Sequence, residues 1–208
     1  MEAIPNVHKV TLGSVNAYLV VGELAAFIDS GHDDDDETHA LLDLWKRSGW
    51  PNIEAIVATH RHADHAGGVY KLSQATKSVI ISTRTEKIYV EEHVLGTKVD
   101  RIVGHGDTLD LGGATLEFVH TPGHTLGSMS VYYREEKVLF AGDTIRTNEP
   151  FHLDGDPSVG DMALHLKSLT KLLSYDIRII APGHGPYVDD GHTYIEKELA
   201  NLQSEYSL

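Results

Sequence analysis

Thr59-His60-Arg61-His62-Ala63-Asp64-His65-Ala66-Gly67-Gly68 places four metal-ligand side chains within six residues. It directly follows Ile53 to Ala58, an apolar run short enough for a buried strand. A strand end is a rigid support, and its outgoing loop faces the ligand crevice. Imidazole nitrogens and carboxylate oxygens are the donors taken by zinc and other borderline divalent cations. His60 and His62, two apart, project to the same side of an extended segment. Asp64 and His65 follow where the chain turns into a helix, able to face a second cation. Gly67-Gly68 lets the start of that helix pack close to the loop.

Three later segments repeat the device of a strand followed by a tight turn with a ligand-type residue. They are Thr121-Pro122-Gly123-His124-Thr125, Ala141-Gly142-Asp143-Thr144 and Pro182-Gly183-His184-Gly185-Pro186. Each alone reads as an exposed turn. Gathered at one sheet edge, they would complete a metal site.

The rest of the chain supplies the frame. Val7 to Leu12, Val15 to Val21 and Ala25 to Asp29 are β-rich runs separated by turn residues. The acidic run Asp33 to Glu37 suits the start of a helix, whose N-terminus favours negative charge. Leu41, Leu44, Trp45 and Ser48 then fall on one helical face, ended by Gly49 and Pro51. A short helix is expected from Ala66 to Leu72, and a strand at Val79 to Ser82. Thr83-x-x-Glu86 has the form of a capping box. Four strands follow, at Thr108 to Leu111, Ala114 to His120, Ser128 to Tyr133 and Val138 to Ala141. Asp156-Pro157 has the form of a helix start ahead of Met162, Leu166, Leu169 and Leu173. Ile177 to Ala181 reads as a last strand and Thr193 to Glu205 as a closing helix. Strands and helices interspersed in this way, with hairpins, point to two mixed β-sheets with helices outside.

Composition excludes several chemistries. There is no cysteine among 208 residues, so disulfides, thiolate metal sites and thiol catalysis are ruled out. Lys plus Arg number 17 against 31 Asp plus Glu, a formal charge of −14, which disfavours nucleic acid and anionic membranes as partners. No signal peptide or membrane span is read, and the expected location is cytoplasmic. Ser168-x-x-Lys171 matches the serine β-lactamase motif but lies in an amphipathic helix without its companion motifs, and is read as structural.

The ordered set His-x-His-x-Asp-His followed by separated His, Asp and His resembles the metallo-β-lactamase superfamily. The resemblance runs from Asp29-Ser30-Gly31 to His184. It implies one domain over residues 1–208 with an αβ/βα sandwich fold and the site along one edge. Carried over by motif, His60, His62 and His124 would hold one metal, Asp64, His65 and His184 the second, and Asp143 would bridge them. Asp29 matches an aspartate just behind the site. The implied activity is a hydrolase using hydroxide held between two divalent ions, zinc before iron or manganese, to cleave an ester, thioester or lactone of a small molecule. Asp64 would orient the nucleophile as its catalytic residue.

Within the superfamily, His62 disfavours the diiron oxidoreductases and Asp143 disfavours true β-lactamases. The roughly 24 residues after His184 are too few for the helical domain of glyoxalase II. An endoribonuclease of the same fold and a mononuclear iron persulfide dioxygenase remain the alternatives. Arg146, Phe151 and His152 are candidate substrate contacts on the loop leaving Asp143. The oligomeric state stays open.

Overall fold

The structure is a computed structural model and describes residues 4–47, 49, 52–148 and 160–206. Among them, strands β1 (Val7–Leu12), β2 (Val15–Val21), β3 (Ala25–Ile28), β4 (Ile53–Val57), β5 (Val79–Thr83) and β6 (Arg101–Val103) form one sheet in chain order. The first three are antiparallel, and β3 to β6 run parallel. Parallel neighbours need crossovers. These are α1 (Asp35–Arg47), the pair α2 (Ala63–Ala66) and α3 (Val69–Thr76), and α4 (Arg84–His93). The second sheet holds β7 (Thr108–Asp110), β8 (Thr115–His120), β9 (Met129–Tyr133), β10 (Val138–Gly142), β11 (Ile179–Pro182) and β12 (Val188–Asp189), again in chain order. Its one parallel pair, β10 with β11, is connected through α5 (Met162–Leu172), and α6 (Gly191–Glu205) follows β12.

Three apolar layers hold this together. Tyr18, Ile28, Val57 and Ile81 of the first sheet meet Phe118, Val131, Tyr133 and Phe140 of the second. Leu19, Phe27 and Ile56 pack with Leu41 of α1 and Val69 and Leu72 of α3. Leu139, Ala141 and Ile180 pack with Leu166, Leu169 and Leu172 of α5 and with Ile195 and Leu202 of α6. Central strands buried on both faces need apolar residues at every position. In β10, Val138 and Phe140 therefore face the other sheet while Leu139 and Ala141 face the helices. The result is two mixed sheets with helices on the outer faces, as the sequence pattern implies.

Local differences have physical causes. The expected helix over Ala66 to Leu72 is two pieces broken at Gly67-Gly68. There the Gly68 amide leaves the helical ladder to donate to Gly31 O at 3.0 Å. A Cβ on Gly67 would lie 2.5 Å from the Asp33 nitrogen, and one on Gly68 2.4 Å from Ser30 O. The glycines thus press the helix start onto the loop after β3. The short strands β6 and β12 have too few residues to show a period. The described cap of α5 is Asp161, whose side chain accepts the Leu164 amide at 2.8 Å. Asp156-Pro157 lies outside the described residues. No helix among the described residues is long and apolar enough to cross a membrane.

Candidate metal centre

The ligand-type residues leave the same edge of the two sheets. His60 follows β4, His124 follows β8, Asp143 follows β10 and His184 follows β11. Asp64 and His65 sit on α2, directly after His62. Two groups of donors converge: His60, His62, His124 and Asp143 in one, and Asp64, His65 and His184 in the other.

In the first group, His62 Nδ1 lies 3.0 Å from His60 Nε2 and 2.9 Å from His124 Nε2. In the second, His184 Nε2 lies 3.3 Å from His65 Nε2 and 3.2 Å from Asp64 Oδ2. Asp143 stands between them. Its Oδ2 is 3.5 Å from His124 Nε2, while its Oδ1 is 3.2 Å from His65 Nε2 and 3.5 Å from His184 Nε2. Zinc bonds nitrogen at about 2.0–2.1 Å, which sets tetrahedral donors about 3.3 Å apart, so both groups have the spacing a cation needs. Asp143 Oδ1 is buried without a hydrogen bond. A buried unpaired acceptor is costly, and a cation between it and the two imidazoles would satisfy it.

The protein also selects which imidazole nitrogen faces the centre. Asp29, buried and held at φ +61°, accepts the Thr59 amide at 2.9 Å through Oδ1. Its Oδ2 lies 2.7 Å from His65 Nδ1 and accepts the Thr59 hydroxyl at 3.0 Å. With its proton committed there, Thr59 Oγ1 can accept from His60 Nδ1, 3.1 Å away. His184 Nδ1 is 2.9 Å from Ser14 O. These contacts assign the Nδ1 protons of His60, His65 and His184 and leave each Nε2 lone pair for a cation. Asp29 thus serves both groups at once. Replacing Asp29 with asparagine would turn an amide towards His65 or Thr59, and a 10–100-fold loss of metal affinity is expected by chelator competition. Unchanged affinity would show that this carboxylate does not set the tautomers.

Electrostatics follow from crowding three carboxylates and five imidazoles away from water. Burial lowers His60 well below its usual range and takes His124 down to about 4. Burial alone would raise both site carboxylates. His65 outweighs it at Asp143, which stays well below the usual range. The His184 contact and the His65 charge outweigh it at Asp64, held at about 2. His65 goes the other way, because Asp143 and Asp29 outweigh its own burial and raise it well above its usual range. Asp64 and Asp143 are therefore ionised at neutral pH and His60 and His124 neutral, as metal ligands require, while the His65 proton is the one a cation displaces.

Other sequence-selected residues fall as follows. Arg146 Nη1 reaches Asp143 Oδ2 at 3.2 Å, so it bears on the centre itself. Phe151 and His152 lie outside the described residues. Ser168 and Lys171 donate to Pro122 O at 2.7 Å and His120 O at 2.6 Å, bracing the turn that carries His124. Sequence reading passed over Asn16. Its buried side-chain amide donates to Pro182 O at 3.0 Å and Gly185 O at 2.9 Å, clasping the His184 turn from the other sheet. Its signal was a polar residue inside the otherwise apolar strand Val15–Val21.

Comparisons with known proteins identify the family. A family model described as "Metallo-beta-lactamase superfamily" matches residues 10–184. The beta-lactamase-like protein 2 homolog of Caenorhabditis elegans is 32% identical over 182 residues, covering 86% of this chain and 58% of that protein. A hydroxyacylglutathione hydrolase of Rhizobium meliloti is 35% identical over 109 residues, covering 52% of this chain and 40% of that one. The chain thus spans about half the length of these curated relatives. A metallo-beta-lactamase from Pontibacter korlensis superposes with a TM-score of 0.80 at 23% identity, over 98% of this chain and 97% of that chain, and shares its fold. A profile match that runs from β1 through the last histidine of the centre settles the family: the chain belongs to the metallo-β-lactamase superfamily.

Proposed function

We propose that this protein is a metal-dependent hydrolase of a small-molecule ester, thioester or lactone, working with two divalent ions, zinc foremost. The observation that carries the reading is Asp143, whose two oxygens face separate donor groups, Oδ2 towards His124 and Oδ1 towards His65 and His184. On this reading His60, His62 and His124 hold one ion, Asp64, His65 and His184 the other, and Asp143 both. Such a pair, when bound, supplies activated water at neutral pH and a Lewis acid for the oxygen of the scissile group. The name of the hydroxyacylglutathione hydrolase relative supports a thioester in particular.

The protein's own groups divide the work. Asp64 is the most open of the carboxylates, with 26% of its side chain exposed against 3% for Asp143. It therefore borders the side from which water and substrate arrive, and its carboxylate orients the attacking water and takes up its proton. Asp143 is sealed from solvent and sets the separation of the two donor groups. Arg146 adds positive charge beside Asp143.

Purified protein should carry about two metal ions per chain and hydrolyse at least one member of an ester, thioester and lactone panel. A single iron with oxygen consumption would replace this reading with the dioxygenase, and cleavage of RNA alone with the nuclease. Ions present far above their Kd also stabilise the fold, by about 4 kcal/mol each at a thousandfold excess over Kd. Stripping both should lower Tm by roughly 15–30 °C in a chain this size, and adding zinc should restore it. A Tm indifferent to chelation would count against a built metal centre.

A further inference from the structure

The Thr83-x-x-Glu86 box is only half closed. Thr83 Oγ1 accepts the Glu86 amide at 3.3 Å, as an N-cap does. A complete box would send the Glu86 side chain back to the Thr83 amide. Instead the carboxylate turns inward, where Glu86 is fully buried. Its Oε2 accepts the Arg61 amide at 2.9 Å. Its Oε1 accepts the Gly127 amide at 2.9 Å and the Thr125 hydroxyl at 3.1 Å. The Arg61 guanidinium lies alongside, with Nε 3.8 Å from Oε2 and its central carbon 3.8 Å from the centre of the Tyr89 ring. The fit is close, since a Cβ on Gly127 would lie 2.3 Å from Oε1.

These partners belong to two different ligand loops. Arg61 sits between His60 and His62, and Thr125 directly follows His124. The chain bends at His60 and Arg61, so the Arg61 amide and guanidinium held at Glu86 anchor the residue that joins the two imidazoles. The same carboxylate holds the loop of the third imidazole. We propose that Glu86 is a positioning residue that sets the spacing of the His60–His62 and His124 loops, and through it the cation affinity of that group. The inference rests on the metal-site reading above. The other group is held differently, His65 by Asp29 and His184 by Ser14 and Asn16, so the effect is confined to one side. A backbone bond from Met129 N to Thr59 O, 3.1 Å, joins the strand ends behind these loops. Losing the Glu86 bonds then loosens the loops without parting the sheets.

The test uses backgrounds that isolate each group. His184→Ala disables the second and His124→Ala the first. Metal-free proteins are titrated with Zn2+ against a chromophoric chelator. Adding Glu86→Gln, which puts a donor where only donors approach, should weaken Zn2+ binding about 10–100-fold in the His184→Ala background. In the His124→Ala background Kd should stay within about twofold. Equal losses in both, or none in the first, overturn the proposal. Thr125→Val removes one of the three hydrogen bonds and should shift Kd in the same direction by a smaller factor. Should Glu86→Gln fail to fold, that variant decides, and an unchanged Kd overturns the proposal. If neither single-group background binds Zn2+ at all, the metal-site reading fails and the inference falls with it.

Discussion

Gly183→Ala is expected to cost the protein the proposed paired metal site while leaving the fold standing. An added Cβ would lie 2.6 Å from both Asp143 Oδ1 and His65 Cε1. No real Cβ sits that close, so one or both side chains must move, and both belong to the converging donors. Gly183 is not among the positive-φ glycines, so the obstacle is space rather than backbone conformation. Overpacking of this kind costs about 1–3 kcal/mol, a Tm loss of roughly 2–12 °C for a chain this size. The larger effect falls on function. Metal content should drop below two per chain and turnover by about 100-fold, as misplacement by 1 Å can cause. Gly104→Ala, whose Cβ would meet only Asp107 Oδ2 at 3.9 Å, is the control. Two bound ions with wild-type turnover in Gly183→Ala would refute the crowding argument.

Asp64→Ala should have the largest catalytic effect for the smallest structural one. Asp64 is partly exposed, and its carboxylate contacts His184 and His65. Removing it buries no orphan and opens no deep cavity, so Tm of the metal-free protein should change little. A group that orients water and takes its proton contributes about 10²–10⁴-fold to rate. On the proposed reading Asp64 acts on the attacking water rather than the substrate, so the loss should appear mainly in kcat. Near-wild-type kcat in this variant would remove Asp64 from the mechanism.

Much of this was legible in the chain itself. Five histidines and two aspartates of the centre stand in strand-to-turn positions that local pattern reveals. The sheet class followed from continuous apolar runs beside helical periods. What could not be read is instructive. Thr83-x-x-Glu86 looks complete as a local motif, yet its carboxylate serves Arg61, Thr125 and Gly127 instead. Arg146, a candidate substrate contact by sequence, also reaches Asp143, which the local pattern does not show. Asn16 carried only a weak signal, because its partners lie some 166 residues away at Pro182.

The boundary has a physical origin. Donor type, donor order and the turns that present them are local properties, so the chain alone dictates nitrogen and oxygen ligands at strand ends and no thiolate. Which donors meet depends on the packing of two sheets across one apolar layer. That packing brings His65 within 3.3 Å of His184, 119 residues away, and sets Asp143 between the two groups. The division of donors is implied by the resemblance, but the tautomers set by Asp29 and the inward turn of Glu86 come from the packed structure alone. Each depends on long-range register, which side-chain periodicity along one strand does not encode.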